Sequence, residues 1–410
     1  MNLRRFGLLS HIPGKLILGI LLVIPLFPAG CGSSSSFQPT PTSLGESAPS
    51  REEVPAIPPA DTVDIVMVGD NLVHLPVVYS GRKADGSYNF DHLFAHIRSY
   101  IQEADIAVIN QETLLAGSEF GISEYPLFNS PREIGDAIAG AGFDVVQHAN
   151  NHAMDRDAAA LLATMAFWEQ YPDIEITGVN QDASQAEEVR IVERNGIRVA
   201  FLSYTTSLNG LPLPPDMPWL VNTWSEDRVR EGVNKAAREA DFTIVLMHWG
   251  EEYTFQPSDK QREMASVLSE NGADLVIGTH PHVLQPVEWI PRQDGGRTLV
   301  YYSLGNFISR QNRPERLLGG MARVRISREE GQRAAIESAS VLPLVTHYEP
   351  GRWDTSYTVY PLNEYTGDLA AKNGINQPEY ENNALIQKPP FTMELLRGLA
   401  EEVLGDFCQV

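Results

Sequence analysis

Apolar strands and helical stretches alternate along most of this chain, and the alternation commits it to a largely parallel sheet covered by helices on both faces. The first folded segment, Val63-Asp64-Ile65-Val66-Met67-Val68-Gly69, has the β-branched content of a buried strand. Phe90, Leu93, Phe94, Ile97 and Ile101 stand at helical spacing ahead of a second strand at 106–109. Ile134, Ala137 and Ile138 predict a helix before a strand at 143–146, and another helix covers 158–168. Strands at 189–193 and 197–204 flank Asn195-Gly196, a hairpin signal. A helix at 229–240 leads into a strand at 242–247, and a helix at 262–268 into a strand at 274–277. The pattern then turns strand-rich, at 298–303, 321–326 and 335–344, while 348–390 reads as irregular and 390–404 as a terminal helix. There is no Walker loop and no G-x-G-x-x-G dinucleotide fingerprint.

Five of the strands are followed at once by side chains of the kinds that bind metals. The clusters are Gly69-Asp70-Asn71, Asn110-Gln111-Glu112, His148-Ala149-Asn150-Asn151-His152, His248-Trp249-Gly250-Glu251-Glu252 and Gly278-Thr279-His280-Pro281-His282. In open α/β sheets the strand carboxyl ends form the ligand crevice, so clusters far apart in sequence can converge. Imidazole, carboxylate and amide carbonyl together make a mixed N/O set. It suits Mn, Fe or Zn better than Ca, and it lacks the thiolates of a structural zinc site. Six or seven such groups exceed the needs of one tetrahedral ion and suit two divalent transition-metal ions about 3.5–4 Å apart. Taken singly, each cluster has a plainer reading: His248 in a core, Asn150-Asn151 in a turn, His152, Asp70 or Glu112 as a cap. Pro281 between His280 and His282 argues for a loop there and not a strand. His11, His92, His96, His148 and His347 fall in no pattern.

Gly69-Asp70, Asn110-x-Glu112, Ala149-Asn150-Asn151-His152, His248-Trp249-Gly250-x-Glu252-Tyr253, Gly278-x-His280-Pro281-His282-Val283 and Tyr302-Ser303-Leu304-Gly305-Asn306-Phe307 resemble the CapA family. These are bacterial capsule-synthesis proteins associated with poly-γ-glutamate production or export, and the family looks like a branch of the calcineurin-like metallophosphatase superfamily. The resemblance covers roughly residues 62–310. It implies a layered α/β sandwich with central mixed β-sheets flanked by helices. It also implies a metal site in which Asp70 and His282 bind a first ion, Asn151, His248 and His280 a second, and Glu112 bridges them. His152 would be the acid beside the site, with Asn71, His74, Asn110, Asn150, Glu252 and Asn306 supporting it. Two departures stand out: Leu72 occupies a position where phosphatases usually carry His, with His74 two residues further on, and Glu112 is longer than the usual Asp. The implied role is metal-dependent hydrolysis or transfer on an anionic cell-surface polymer. A non-catalytic subunit that guides polymer for a membrane synthase, and a phosphoesterase unrelated to capsule, are the alternatives.

The N-terminus reads as an export signal. Basic Arg4, Arg5 and Lys15 precede an apolar run at 16–27, too short to span a bilayer. Ala29-Gly30-Cys31-Gly32 then resembles a bacterial lipobox with Cys31 as the lipidated residue, although Pro28 stands where Leu is usual. Ordinary cleavage near Ala29-Gly30 is the other reading. Residues 1–30 are thus expected to be a signal peptide, and 31–60, rich in Pro and Ser, a tether. Residues 61–347 are the metal-site domain and 348–410 a C-terminal extension. The protein is expected outside the cell, lipid-anchored to the outer face of the cytoplasmic membrane. Two cysteines exclude a disulfide scaffold, and a formal charge of −22 argues against a nucleic-acid partner.

Overall fold

The computed structural model describes residues 61–351, 355–377 and 389–410. The signal-peptide, tether and Cys31 expectations lie outside the described residues. The chain builds half of a first sheet from β1 (Asp61–Asn71), β2 (Ile106–Gln111), β3 (Val145–Gln147) and β4 (Glu175–Thr177). It then builds a second sheet from β5 (Arg190–Arg194), β6 (Ile197–Thr205), β7 (Phe242–His248), β8 (Leu275–Thr279), β9 (Val287–Pro291) and β10 (Arg297–Tyr301). It returns to the first sheet with β11 (Asn306–Ile308), β12 (Leu318–Arg328), β13 (Ala335–Pro350) and β14 (Thr355–Pro361).

The sheet orders are β14-β13-β12-β1-β2-β3-β4, with β11 on β1, and β5-β6-β7-β8-β10-β9. Strands β1 to β4 run parallel, as do β6, β7, β8 and β10, while β12 to β14, β5 and β9 are antiparallel. The layered sandwich with two mixed sheets is therefore observed. One apolar cluster joins Met67, Val108 and Val146 of the first sheet to Phe201, Ile244 and Ile277 of the second. Alternate residues of the second sheet, Leu202, Val245, Met247 and Val276, face the other way, onto Val229, Val233, Met264 and Leu268 of the helices Glu226–Glu239 and Asp259–Glu270. The period-2 alternation is what lets one strand serve two cores.

Two expectations change. The helix expected over Phe90 to Ile101 is a 3₁₀ turn, Asp91–Phe94, and a short helix, Arg98–Gln102. All five apolar residues are nevertheless buried. The segment expected to be irregular after 348 instead holds the end of β13, all of β14 and the helix Gly367–Lys372. Tyr357 and Val359 alternate inward among polar neighbours, and β14 pairs with β13 from Leu344↔Pro361 to Pro350↔Thr355. Position 347 thus lies inside a strand, and the described residues from Asp61 onward fall in one unit. The Asn195-Gly196 hairpin is present, both residues at positive φ.

Close approach of the 302–305 segment to the ends of β1 and β8 demands glycine twice. A Cβ on Gly69 would collide with the Gly305 carbonyl, the group that accepts a hydrogen bond from Asp70 N at 3.0 Å. A Cβ on Gly278 would collide with the Tyr302 carbonyl.

His148 acquires a structural role. Trp168 Nε1 donates to its Nε2 at 2.9 Å, and burial pushes the ring's pKa down to about 3. A folded-state value below the unfolded one, about 6.5, means that stability present above pH 6.5 is lost as pH falls toward 3. His148→Gln keeps an acceptor for Trp168 without titrating. Its melting temperature should fall less steeply than wild type between pH 6.5 and 3.5 in thermal scans. Identical slopes would assign acid sensitivity to other groups.

Candidate metal centre

Four parallel strands, two from each sheet, deliver their carboxyl ends to one place. Asp70 closes β1, Glu112 follows β2, His248 closes β7 and His280 follows β8. The loop after β3 brings Asn151 and His152, and β11 begins with Asn306. Asp70, Glu112, Asn151, His248, His282 and Asn306 are all buried, and His280 is half-buried.

Glu112 is the anomaly at the centre. Both its carboxylate oxygens are buried and lack any hydrogen-bond partner. His248 Nε2 stands 3.6 Å and His282 Nε2 3.9 Å from its Oε1. Those separations exceed a hydrogen bond. They match two donors that each stand about 2.0–2.2 Å from a shared ion. Burial first, and the Asp70 charge second, raise the Glu112 carboxyl well above its ordinary range.

Ligand atoms of Glu112, His280 and His282 all lie within 4.8 Å of one another, a group that could hold a divalent metal ion. His280 Nδ1 is also buried without a partner, as is Asn110 Oδ1. His280 and His282 carry φ of 98° and 59°, left-handed conformations uncommon for non-glycine residues and held here on either side of Pro281. The loop expectation for this segment therefore agrees with the backbone.

Neighbouring side chains fix which nitrogen each ring presents. His282 Nδ1 lies 3.1 Å from Asp70 Oδ2 and 3.0 Å from Asn306 Oδ1. Both are acceptors, so Nδ1 carries the proton and Nε2 faces Glu112. Thr279 Oγ1 donates to Met247 O, so it accepts from His248 Nδ1 at 3.0 Å. In that tautomer the His248 Nε2 lone pair faces Asn151 Oδ1 at 2.9 Å and Glu112 beyond it. The His248 Nε2 lone pair and the Asn151 oxygen converge without a hydrogen between them, which is the chemistry of a cation seat.

Burial, then the neighbouring His282 charge, pushes His280 down to about 4. Burial and the like-charged rings lower His248 well below its ordinary value. Burial also opposes charge on His282, but Glu112 and Asp70 outweigh it and raise that ring to about 9.

Asp70 accepts from Asn110 Nδ2 at 2.7 Å, the His280 backbone N–H at 3.2 Å and His282 Nδ1. In this arrangement it orients the histidines. Asn71 turns to Gln111 Oε1, and Asn150 bonds Gln111 O and the His152 N–H as a turn residue. Glu252 is exposed at the mouth, where its charge acts on Glu112, His280 and His282. His74 takes the Arg310 backbone N–H on Nδ1 at 3.2 Å and stands edge-on to Phe128, beside the cluster and outside it. Leu72 is buried.

His152 sits apart with a partner that sequence reasoning missed. Its Nδ1 is 2.7 Å from Asp155 Oδ2, which also accepts the Phe128 N–H, and Phe128 packs edge-on against the ring. The i, i+3 spacing of His152 and Asp155 was the available signal. Thr279 was likewise overlooked, although it lies inside a quoted cluster.

The comparisons with known proteins agree with one another on sequence. A family model described as "Bacterial capsule synthesis protein PGA_cap" matches residues 64–311. The PGA biosynthesis protein CapA of Bacillus subtilis (strain 168) is 33% identical over 168 residues, 40% of this chain and 42% of the relative. The capsule biosynthesis protein CapA of Bacillus anthracis is 28% identical over 257 residues, 60% of each. The match thus spans less than two-thirds of either relative. Among solved structures, Haemophilus influenzae NAD nucleotidase is 12% identical, with a TM-score of 0.47 over 83% of this chain and 66% of that one. The yellow lupin purple acid phosphatase PPD1 is 9% identical, with a TM-score of 0.36 over 78% of this chain and 57% of that one.

Replacing the central carboxylate separates metal binding from folding. Glu112→Gln replaces a buried carboxyl that no hydrogen-bond donor in the protein meets, so the metal-free variant should melt at or slightly above the wild-type temperature. Added Mn²⁺ or Zn²⁺ should stabilise wild type by about 4 kcal/mol at a thousandfold excess over Kd, a rise of several degrees, and the variant far less. A metal-free variant that melts many degrees lower would mean that Glu112 has a partner within the protein.

Proposed function

The chain belongs to the bacterial capsule synthesis protein family, and from that premise we propose that it is a metal-dependent hydrolase or transferase acting on an anionic cell-surface polymer, poly-γ-glutamate, or beside its membrane synthase. The observation that carries the reading is the partnerless Glu112 carboxylate, facing three histidines at the junction of two sheets. Glu112, His280 and His282 would hold one divalent ion, and Asn151 and His248 extend the donor set toward a second, from Mn, Fe or Zn. Such ions supply polarisation of an anionic oxygen and activation of water at neutral pH.

The chain's own residues do the rest. Asp70 and Asn306 hold the His282 tautomer, and Thr279 holds that of His248. Asp155 accepts from His152 Nδ1–H, so Nε2 is the atom that exchanges a proton with a leaving group. Phe128 on the ring keeps His152 from rotating. Cations held by this donor set would reverse the local field and so offset the repulsion between the acidic surface and an anionic polymer.

The test supplies purified protein with Mn²⁺, Fe²⁺ or Zn²⁺ and offers poly-γ-glutamate and a simple aryl phosphate. Metal-dependent turnover of the polymer is expected. His152→Ala should lower kcat by about 10²–10⁴-fold with metal content unchanged. Turnover of the aryl phosphate alone would make it a phosphoesterase unrelated to capsule, and absence of both metal and turnover would leave a polymer guide. For the anchor, lipidation at Cys31 is the reading, and Cys31→Ser should move the protein from the membrane fraction to the soluble one. A variant that stays with membranes contradicts it.

A further inference from the structure

The loop between β11 and β12 carries Arg310, Arg313 and Arg316 within a chain of net charge −22. Two of the three have evident occupations. Arg310 lies 4.6 Å over the Tyr348 ring, and Arg313 lies 3.9 Å from Glu315. Arg316 is different. Its guanidinium carbon stands 3.4 Å over the Tyr253 ring, and its Nε is buried with no hydrogen-bond partner. Among the described residues no carboxylate comes within ion-pair distance of it. Glu252 and Glu315 are the negative groups near enough to act on it, and Arg313 opposes them.

This guanidinium is tied to the metal-ligand candidates by two short routes. The Arg316 carbonyl accepts from Asn306 Nδ2 at 2.9 Å, and Asn306 Oδ1 lies 3.0 Å from His282 Nδ1. The Tyr253 ring that carries the guanidinium is 6.0 Å from the His282 ring, and Tyr253 Oη accepts from Gln311 Nε2 at 3.4 Å. Tyr253 itself is held at a φ of 65°, its N–H bonded to the Pro281 carbonyl at 2.8 Å. The segment that presents the ring, after β7, is thus bonded directly to the one after β8 that carries His280 and His282. An arginine docked on an aromatic face loses little further freedom when its N–H fork meets an oxyanion.

We propose that Arg316, positioned by Tyr253, forms an oxyanion subsite beside the metal centre that takes a carboxylate or phosphate of the substrate. The proposal rests on the reading of the chain as acting on an anionic polymer, and it names the group that confers that specificity. It also adds a second local attraction, beside that of a bound cation, by which a strongly acidic protein binds an acidic ligand: one guanidinium without an ion-pair partner among the described residues.

The test is calorimetric titration of the full chain with two probes, a γ-linked glutamate pentamer and inorganic phosphate. Wild type, Arg316→Gln and Arg316→Lys are each titrated in chelator, and each is titrated separately with Mn²⁺. Arg316→Gln should weaken anion binding by about tenfold or more. Arg316→Lys, which keeps the charge and loses the fork, should fall between, and Mn²⁺ affinity should be unchanged in both. Loss confined to the glutamyl probe identifies a carboxylate subsite, and loss confined to phosphate a phosphate subsite. Wild-type affinity for both probes in both variants overturns the proposal, as does a wild-type chain that binds neither probe. A chain that binds the anions but no Mn²⁺ defeats the metal reading and leaves the subsite standing.

Discussion

A carboxylate removed from water without a donor to meet it costs several kcal/mol, and the protein places Glu112 in that position. Little else in the centre makes sense without that fact. The partnerless oxygens point at imidazole nitrogens separated from them by more than a hydrogen bond and less than two van der Waals shells. Such a gap is stable only when something positive fills it. In the protein alone the His282 ring holds a proton to unusually high pH and partly serves as that charge. A divalent cation would do so more completely.

The rest of the fold supplies the precision. Glu112 and Asp70 come from adjacent parallel strands of one sheet, His248 and His280 from adjacent parallel strands of the other. The sandwich core between Met67, Val108, Ile244 and Ile277 holds these two pairs at a fixed separation. Gly69 and Gly278 let the backbone at the ends of β1 and β8 lie against the Gly305 and Tyr302 carbonyls, which brings the segment from Tyr302 to Asn306 up to the strand ends that carry the ligands. Asp70, Thr279 and Asn306 then choose ring nitrogens by accepting from the opposite one. Apolar packing thus sets position to within the width of a side chain, and hydrogen bonds set orientation within that width.

Much of this was legible in sequence, for a physical reason. Buried parallel strands announce themselves by β-branched runs, and polar residues directly after such runs must lie at the carboxyl edge. That reasoning gathers the five clusters that contain Asp70, Glu112, Asn151, His248, His280 and His282; it is the family resemblance that singles these six out of them. The hairpin at Asn195-Gly196 was legible because its turn needs residues that tolerate positive φ. What escaped notice depended on tertiary contact. Thr355–Pro361 carries only a short alternation, Tyr357 and Val359 among polar neighbours, and it is the pairing with β13 that makes it a strand. Asn71 and Asn150 are indistinguishable from ligands in sequence, yet their amides serve Gln111 and a turn. Asp155 and Arg316 were missed because one acts through a histidine and the other lies on a loop with no periodicity.

The central claim is that Glu112, His280 and His282 enclose a cation. Anomalous X-ray diffraction from crystals grown with Mn²⁺ or Zn²⁺ tests it most directly. The account predicts an anomalous peak among the Glu112 carboxylate, His280 and His282, with each ligand atom about 2.0–2.2 Å away. A second peak beside His248 and Asn151 would extend the centre to two ions. A map without a peak at Glu112, recorded while metal is bound elsewhere on the protein, would contradict the account.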